Sequence, residues 1–453
     1  MAAACDLSKM KNVYFAGIGG VSMSSLALAL KYRGINVSGY DMKESETTKM
    51  LEQNGIVIDY SFDTVCLKKF DTLIYTAAIK DDNPIIVGAK GLGINIFTRA
   101  ELLGEITGNY EYSIGVAGTH GKSTTTGFLS QIMLSAANDA TILGGAVIPA
   151  LNSTFRIGKG DCAVFEACEY KNSYHSMCPN IKVVLNVDFD HVDFFGSIEN
   201  VIKSFRKYID TPGKNGKNIS VVNLDSQNAI ESAKNTASDV RFFSIKQKAD
   251  FWADNITFDR GYASFTLMKN DTALTDITLC VPGLHNVSNA VAAAAAAFVC
   301  NIDICAIKCG LEAFTGVKRR FEKVKVLQNG AIVIDDYAHH PDEIRATLTC
   351  AKQVTKGNVI CIFQSHTYSR TKALLNEFAS ALSLADKVLL APIYAAREIN
   401  VDRVSSEDLA NLIENAQVLP DFDALRERAK ALANPDDLII TMGAGDIYKV
   451  FQE

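Results

Sequence analysis

Cys-x-x-Cys pairs, long apolar runs, internal repeats and a dominant charge sign are all missing from this 453-residue chain, and each absence removes a class of function. No uninterrupted apolar stretch is long enough to span a bilayer, since the Val287–Cys300 run is alanine-rich and short. Met1 to Lys11 lacks the charged-then-apolar pattern of a secretory signal. Eleven scattered cysteines, an odd number, argue for a reducing cytoplasm rather than a disulfide framework. Cys300, Cys305 and Cys309 lie close together without a nearby histidine, so buried core thiols are expected there, not zinc ligands. A formal net charge of −6 gives no general attraction to nucleic acid or to an anionic membrane, and neither is expected as a partner. An anionic substrate must instead be held by local devices such as helix termini, Arg, Lys or metal ions.

What is present is a globular composition, 48% hydrophobic and 21% charged, with length for two to four domains. Short apolar β-favouring runs alternate with helical spacing throughout, which predicts an α/β protein of three consecutive domains. The first, residues 1–108, reads as Rossmann-like. Asn12–Ala16 is its first strand, Gly17-Ile18-Gly19-Gly20 a turn, Ser22–Arg33 a helix and Asn36–Tyr40 a second strand closed by Asp41. This resembles a dinucleotide fingerprint with Ser22 in place of the third glycine. The second domain, 109–318, is a P-loop ATPase-like unit with strands at Ala163–Ala167, Val183–Val187, Ser220–Asn223 and Val240–Ser244. Ala249–Cys280 alternates apolar and polar residues and predicts a small antiparallel insertion. The third domain, 319–453, is again Rossmann-like, with strands at Ala331–Ile334, Val359–Gln364, Lys387–Ala391 and Leu438–Thr441.

Chemistry concentrates at strand ends. Gly118, Thr119, His120 and Gly121 form a tight turn between an apolar strand and a helix, a unit that aims backbone N–H groups and a helix dipole at an anion. Lys122 adds a cation for the β- and γ-phosphates of ATP or GTP, Ser123 a hydroxyl for Mg²⁺, and Thr124 continues the helix. Glu166 ends the Ala163–Ala167 strand, where an acid facing a triphosphate holds Mg²⁺. Asn186-Val187-Asp188-Phe189-Asp190-His191 ends the next strand, and a divalent metal is expected near His191 as well. Asn286 and Asn289 share one face of a helix's first turn, where a carboxamide either caps the helix or binds an adenine edge; composition alone favours the cap. Arg320 is placed to reach a phosphate. Asp336 and His339, in Asp335-Asp336-Tyr337-Ala338-His339-His340-Pro341, and His366 and Arg370, past the Val359–Gln364 strand, read as site residues. If that last segment is helical, His366 and Arg370 lie on one face.

In order and spacing these motifs resemble the Mur ligases, ATP-dependent amino-acid ligases of bacterial cell-wall synthesis. Asp335–Pro341 and Gly17–Gly20 point to an alanine-adding member, while Thr367 and Cys168 stand where many relatives carry Arg and Asp. The resemblance implies ligation of L-alanine to the lactyl carboxylate of UDP-N-acetylmuramate through an acyl phosphate, with ATP and Mg²⁺, and closure of the third domain over the others. It implies that Gly17, Gly19, Gly20 and Asp41 hold the UDP group, and that Gly118–Thr124 bind the triphosphate. Ser123, Glu166 and His191 would hold metal, Asn286 and Asn289 adenine, Arg320 a phosphate and Asp336 the ribose. Lys122, His339, His366 and Arg370 would be catalytic. Attachment of a preformed tripeptide to the same sugar nucleotide, an NAD-dependent oxidoreductase and an ATP-gated binding protein are the alternatives.

Overall fold

Short apolar runs in the first hundred residues pair as parallel strands: β1 (Asn12–Ala16), β2 (Asn36–Tyr40), β3 (Val57–Asp59), β4 (Thr72–Tyr75) and β5 (Asn95–Thr98). Their order is β3-β2-β1-β4-β5, so the sheet reverses its winding between β1 and β4 and opens a crevice at the carboxyl end of β1. The computed structural model describes residues 5–61, 64–76, 79, 82–396, 398–401 and 403–452, so the first four residues of the Met1–Lys11 stretch lie outside it. After β1, the helix Val21–Tyr32 is buried from Met23 through Leu30. It shows no amphipathic stripe because it is covered on nearly all sides. Its Leu26 and Leu30 share one core with Phe15 of the first sheet and with Phe165, Val184 and Phe205 further along the chain.

The second sheet contains β6 (Tyr112–Ala117), β7 (Thr141–Ile148), β8 (Ser153–Arg156), β9 (Cys162–Glu166), β10 (Ile181–Val184), β11 (Ile219–Asn223), β12 (Asp239–Ser244), β13 (Phe251–Asp259), β14 (Tyr262–Lys269) and β15 (Thr272–Pro282). The order is β15-β14-β13-β12-β11-β10-β6-β9-β7-β8. β6 lies inside, flanked by β10 and β9 in parallel register, and delivers the glycine turn from a fully covered position. The pairs Ser264–Thr278 (2.9 Å) and Thr266–Asp276 (2.7 Å) make β14 and β15 antiparallel, as the alternating pattern predicts. These strands are not a separate insertion, however, but extend the central sheet.

The third sheet holds β16 (Glu322–Val326), β17 (Ile332–Asp336), β18 (Val359–Phe363), β19 (Lys387–Leu390), β20 (Ala416–Val418) and β21 (Leu438–Met442), ordered β16-β17-β21-β18-β19-β20. All five β18 residues are buried. Val359, Cys361 and Phe363 enter one core and Ile360 and Ile362 the other, the pattern of a parallel strand covered on both faces. By contacts the chain divides into two compact units, Met1–Trp252 with Met268–Thr272 and Val291–Gly310, and Ala253–Leu267 with Ala273–Ala290 and Leu311–Glu453.

Two expectations need correction. Cys300 is buried, but Cys305 and Cys309 are exposed. They sit four residues apart on the helix Ile304–Ala313, opposite the face that buries Ile307 and Leu311. The strand expected over Val183–Val187 ends at Val184, because the backbone beyond it turns to meet the glycine loop.

One buried charge carries a pH signature. Lys182, on β10, is fully buried, and its Nζ donates to Pro179 O (3.0 Å) and Asn218 Oδ1 (2.7 Å). Burial pulls its pKa from the ordinary 10.5 down to about 8. Below pH 8 both folded and unfolded chains hold this proton, so the cost of the buried charge is fully present. Between about 8 and 10.5 only the unfolded chain holds it, so stability rises with pH, by at most about 1.4 kcal/mol per unit. Lys182→Met should lack this rise. Urea unfolding of both proteins from pH 7 to 10 measures it, and a constant stability difference across the series would refute the assignment.

Candidate active site

The turn after β6 is shaped by two glycines in the left-handed half of backbone space. Gly118 has φ 147°, and a Cβ there would sit 2.9 Å from Leu185 Cβ. Gly121, at φ 86°, is the N-cap of the helix Lys122–Ser135 and supplies no capping side chain. The first-turn N–H groups are therefore left for an anion. Asn186 braces this turn from the end of the neighbouring strand. Its Oδ1 accepts from His120 N (2.7 Å), its Nδ2 donates to His120 O (3.1 Å), and its own carbonyl accepts from Thr119 N (3.1 Å). Thr119 Oγ1 accepts from Asp188 N at 2.9 Å.

Lys122 is turned inward. Its ammonium donates to Gly118 O (2.5 Å) and Thr119 O (3.1 Å) and pairs with Glu169 at 3.0 Å. Glu169 is almost fully buried, and its other neighbour is His191 Nε2, 3.6 Å away. Burial disfavours charge on both members of the ion pair. Their mutual attraction prevails, raising the Lys122 pKa and, with help from His191, lowering that of Glu169. His191 is held at φ 51° with its ring 4.6 Å from that of Tyr170. Glu166, the acid singled out from sequence, accepts from Gly145 N at 2.6 Å through Oε1, and its charge adds to the rise in the Lys122 pKa. The carboxylate that joins lysine and histidine is Glu169, three residues on, and the Glu-x-x-Glu spacing was the signal for it.

In the first sheet, Gly17 (φ 79°) donates its N–H to Tyr40 O at 2.8 Å, which closes the turn onto β2. Gly20 is the N-cap of the following helix. Asp41 comes to this turn as its position predicts, with Oδ2 accepting from Gly19 N and Oδ1 from Met42 N, both 2.8 Å.

The second unit assembles its own cluster. Asn286 and Asn289 are buried at the start of the helix Leu284–Val299. Asn289 Nδ2 donates to Asn286 Oδ1 (3.2 Å) and Asn286 Nδ2 to Pro282 O (2.8 Å), so Asn286 Oδ1 is engaged by its neighbour's amide side chain. Asp336 ends β17 and accepts from Phe321 N and Ala338 N, each at 2.7 Å, while burial raises its pKa to about 6. Arg320 Nη1 lies 3.4 Å from Glu343 Oε1, and the other Glu343 oxygen accepts from His339 N at 3.1 Å. Glu343, absent from the sequence reading, thus ties arginine to histidine. Burial drives the His339 pKa down to about 4 against the pull of Glu343. The neutral ring has Tyr337 O 3.0 Å from Nδ1; a carbonyl only accepts, so Nδ1 carries the proton and Nε2 the lone pair.

His366 stacks on Tyr394 (5.6 Å, 20°), its ring is 6.3 Å from that of His339, and its buried Nδ1 has no hydrogen-bond partner. The helix expected to carry both His366 and Arg370 begins only at Tyr368. Thr367 at φ 67° separates them, so the shared helix face does not form. Burial, with the Arg370 charge, lowers the His366 pKa.

Three family descriptions match in succession: "Mur ligase family, catalytic domain" over residues 12–111, "Mur ligase middle domain" over 116–297 and "Mur ligase, glutamate ligase domain" over 319–445. The chain is 45% identical to a UDP-N-acetylmuramate–L-alanine ligase of Acetivibrio thermocellus, covering 98% of this chain and 96% of the relative. It is 43% identical to that of Agathobacter rectalis, covering 99% and 98%. Among solved structures it resembles the UDP-N-acetylmuramate–alanine ligase of Thermotoga maritima, with a TM-score of 0.80, 27% identity and 97% of each chain covered. It shares its fold with a murein peptide ligase from Psychrobacter arcticus (TM-score 0.72, 24% identity, 98% and 97% covered).

The Asn186 brace is testable by itself. Asn186→Ala removes two side-chain hydrogen bonds from the turn, worth about 1 kcal/mol each, and should weaken nucleoside-triphosphate binding roughly thirtyfold. Asn186→Asp keeps the acceptor for His120 N–H and should lose less. Calorimetric titration with a non-hydrolysable ATP analogue gives the comparison; an unaltered Kd in folded Asn186→Ala would show that the turn holds its shape unaided.

Proposed function

The chain belongs to the Mur ligase family, and on that premise we propose that it joins L-alanine to the lactyl carboxylate of UDP-N-acetylmuramate, with ATP as the energy source, in cytoplasmic peptidoglycan synthesis. The observation that carries this reading is the end-to-end likeness to L-alanine-adding ligases, 45% identity over 98% of the chain. Among the described residues, no helix is long and apolar enough to cross a membrane. The three domains divide near residues 108 and 318. The first takes the UDP group at Gly17, Gly19, Gly20 and Asp41, and the second the triphosphate at Gly118–Thr124.

A carboxylate is a poor acyl donor, so the lactyl carboxylate oxygen first attacks the γ-phosphorus of ATP, giving an acyl phosphate and ADP. Lys122 follows the charge of the transferring phosphoryl group from its place in the turn, and the braced N–H groups orient the triphosphate. Ser123, Glu166 and His191 are the proposed holders of Mg²⁺, with Glu169 beside His191; a nearly buried carboxylate flanked by imidazole fits a divalent cation. Bound there, Mg²⁺ would neutralise charge on the phosphoryl oxygens. The amine of L-alanine, once deprotonated, then attacks the acyl carbon, and the tetrahedral intermediate expels inorganic phosphate as the amide forms. His339, with its Nε2 lone pair, and His366 position the reacting groups. Arg370 receives the alanine carboxylate, Asn286 and Asn289 contact adenine, Arg320 a phosphate and Asp336 the ribose.

Incubation with ATP, Mg²⁺, UDP-N-acetylmuramate and either L-alanine or the recycled tripeptide tests the reading. Phosphate release and ligated product should depend on L-alanine; a strict requirement for tripeptide, or no phosphate release, would sink it. Lys122→Ala should reduce kcat about 1000-fold or more, because the turn loses its side-chain cation. Arg370→Ala should raise the KM for L-alanine about tenfold, with the KM for ATP nearly unchanged. Alanine kinetics untouched in that folded variant would remove Arg370 from the acceptor site.

A further inference from the structure

A cavity of about 800 Å³ lies at the far end of Val21–Tyr32 and belongs to neither glycine turn. Its size is that of a small-ligand pocket, roughly 300–1,000 Å³. Tyr32 and Arg33 line it where that helix ends, Leu134 from the last turn of Lys122–Ser135, and β8 with its flanks supplies the rest. Both helices start at a glycine turn. Their 12 and 14 residues carry the chain about 20 Å away from those turns.

The lining is one-sided in charge. Arg33, Arg156 and Lys159 line the cavity and no Asp or Glu does, in a chain whose net charge is −6. The acid that serves this group, Asp139, has both oxygens engaged: Oδ1 accepts from Arg156 Nη2 (2.7 Å) and Oδ2 from Lys159 N (3.0 Å). Arg156 Nη1 is buried without a hydrogen-bond partner, which is unfavourable until an acceptor reaches it. The exposed Lys159 ammonium forms no hydrogen bond or ion pair among the described residues. Arg33 differs, because its Nη1 donates to Ala29 O (3.1 Å) and closes the carboxyl end of its helix, where a cation is favoured.

The remaining wall is largely apolar, with Leu151, Phe155 and Ile157. Tyr32 is 63% exposed beside it, and its ring packs on no other ring among the described residues. Hydrogen bonds fix the two sides relative to each other. Arg33 Nη2 donates to Tyr110 OH (3.1 Å), Tyr110 OH bonds Thr141 Oγ1 (2.8 Å), and Thr141 Oγ1 accepts from Gly158 N (3.1 Å). The pocket is thus preformed, cationic on one side and greasy on the other.

We propose that this cavity binds an aromatic oxyanion, a flat ring bearing a phosphoryl or carboxylate group, at a site separate from both glycine turns. The oxyanion meets the planar fork of Arg156 and the Lys159 ammonium, while the ring lies against Tyr32 and Phe155. A bare phosphate would leave the apolar wall uncovered, and a neutral ring would leave the cations unmatched.

Calorimetric titration of the whole protein with 1-naphthyl phosphate, 1-naphthoate, 1-naphthol and inorganic phosphate tests this. Each titration is repeated with saturating UDP-N-acetylglucosamine and a non-hydrolysable ATP analogue. At least one aromatic anion should bind with a Kd of about 1 mM or tighter, roughly tenfold better than naphthol or phosphate, with or without the nucleotides. The tighter of the two anions identifies the head group. Arg156→Gln should weaken that anion about tenfold. Lys159→Gln, whose side chain nothing in the fold holds, should weaken it about threefold and serves if the first variant does not fold. No binding of either aromatic anion, displacement by the nucleotides, or a native Kd in the folded variants would overturn the proposal.

Discussion

The Lys122–Glu169 pair is the contact around which the glycine turn after β6 is arranged. A cation on a glycine turn must either meet phosphate or be satisfied by the protein, and here the ammonium folds back onto two turn carbonyls and a nearly buried carboxylate. Removing one partner of such a pair leaves the other charge buried, at a cost of about 3–5 kcal/mol. That coupling joins three segments distant in sequence: the turn after β6, the chain after β9 and, through His191, the chain after β10. A triphosphate bound at the turn, as proposed, would compete with Glu169 for the ammonium and free a carboxylate beside His191.

A second regularity runs through both units. Polar side chains at the carboxyl ends of strands accept backbone N–H groups and so fix the loops that follow. Asp41 holds Gly19 and Met42, Glu166 holds Gly145, Asn186 holds His120, and Asp336 holds Phe321 and Ala338. An ionised carboxylate makes stronger hydrogen bonds than a neutral acceptor, which suits it to pinning turns that must present their remaining N–H groups to a ligand. Several acids read from sequence as ligand contacts thus also serve as loop braces. For Gly19 and Gly145 the demand is steric as well, since a Cβ at either would lie within 2.8 Å of the bracing carboxylate.

This explains which parts of the molecule were legible in the sequence. The long buried strands and the helices behind them followed from apolar runs and glycine punctuation, because burial on both faces leaves a continuous apolar signature. β3, β5, β7, β8, β16 and β20 escaped: all but β7 are short with exposed or half-exposed positions, and β7 is interrupted by Gly144 and Gly145 before a part-exposed stretch. Joining the β13–β15 strands to the central sheet depends on pairing that local pattern does not encode. In the site, residue types at strand ends were readable, but the partner of each was not. The pairing of Lys122 with Glu169, and the place of Glu343 between Arg320 and His339, are decided by tertiary distances of a few ångströms. The separation of His366 from Arg370 turned on one backbone angle, φ 67° at Thr367, an unusual conformation for a β-branched residue.

The distribution of charge completes the argument. A chain of net charge −6 that must handle anions has to concentrate its cations and keep them from collapsing onto its own acids. Here Lys122 is held by Glu169, Arg319 by Asp335 and Arg320 by Glu343. Arg319 is further fixed between the Tyr337 and Tyr448 rings at 4.9 and 4.4 Å, which marks it as scaffold. Lys122 and Arg320 instead face acids that a phosphate can replace without leaving the cation bare. Exchange of an internal anion for an external one couples binding to rearrangement.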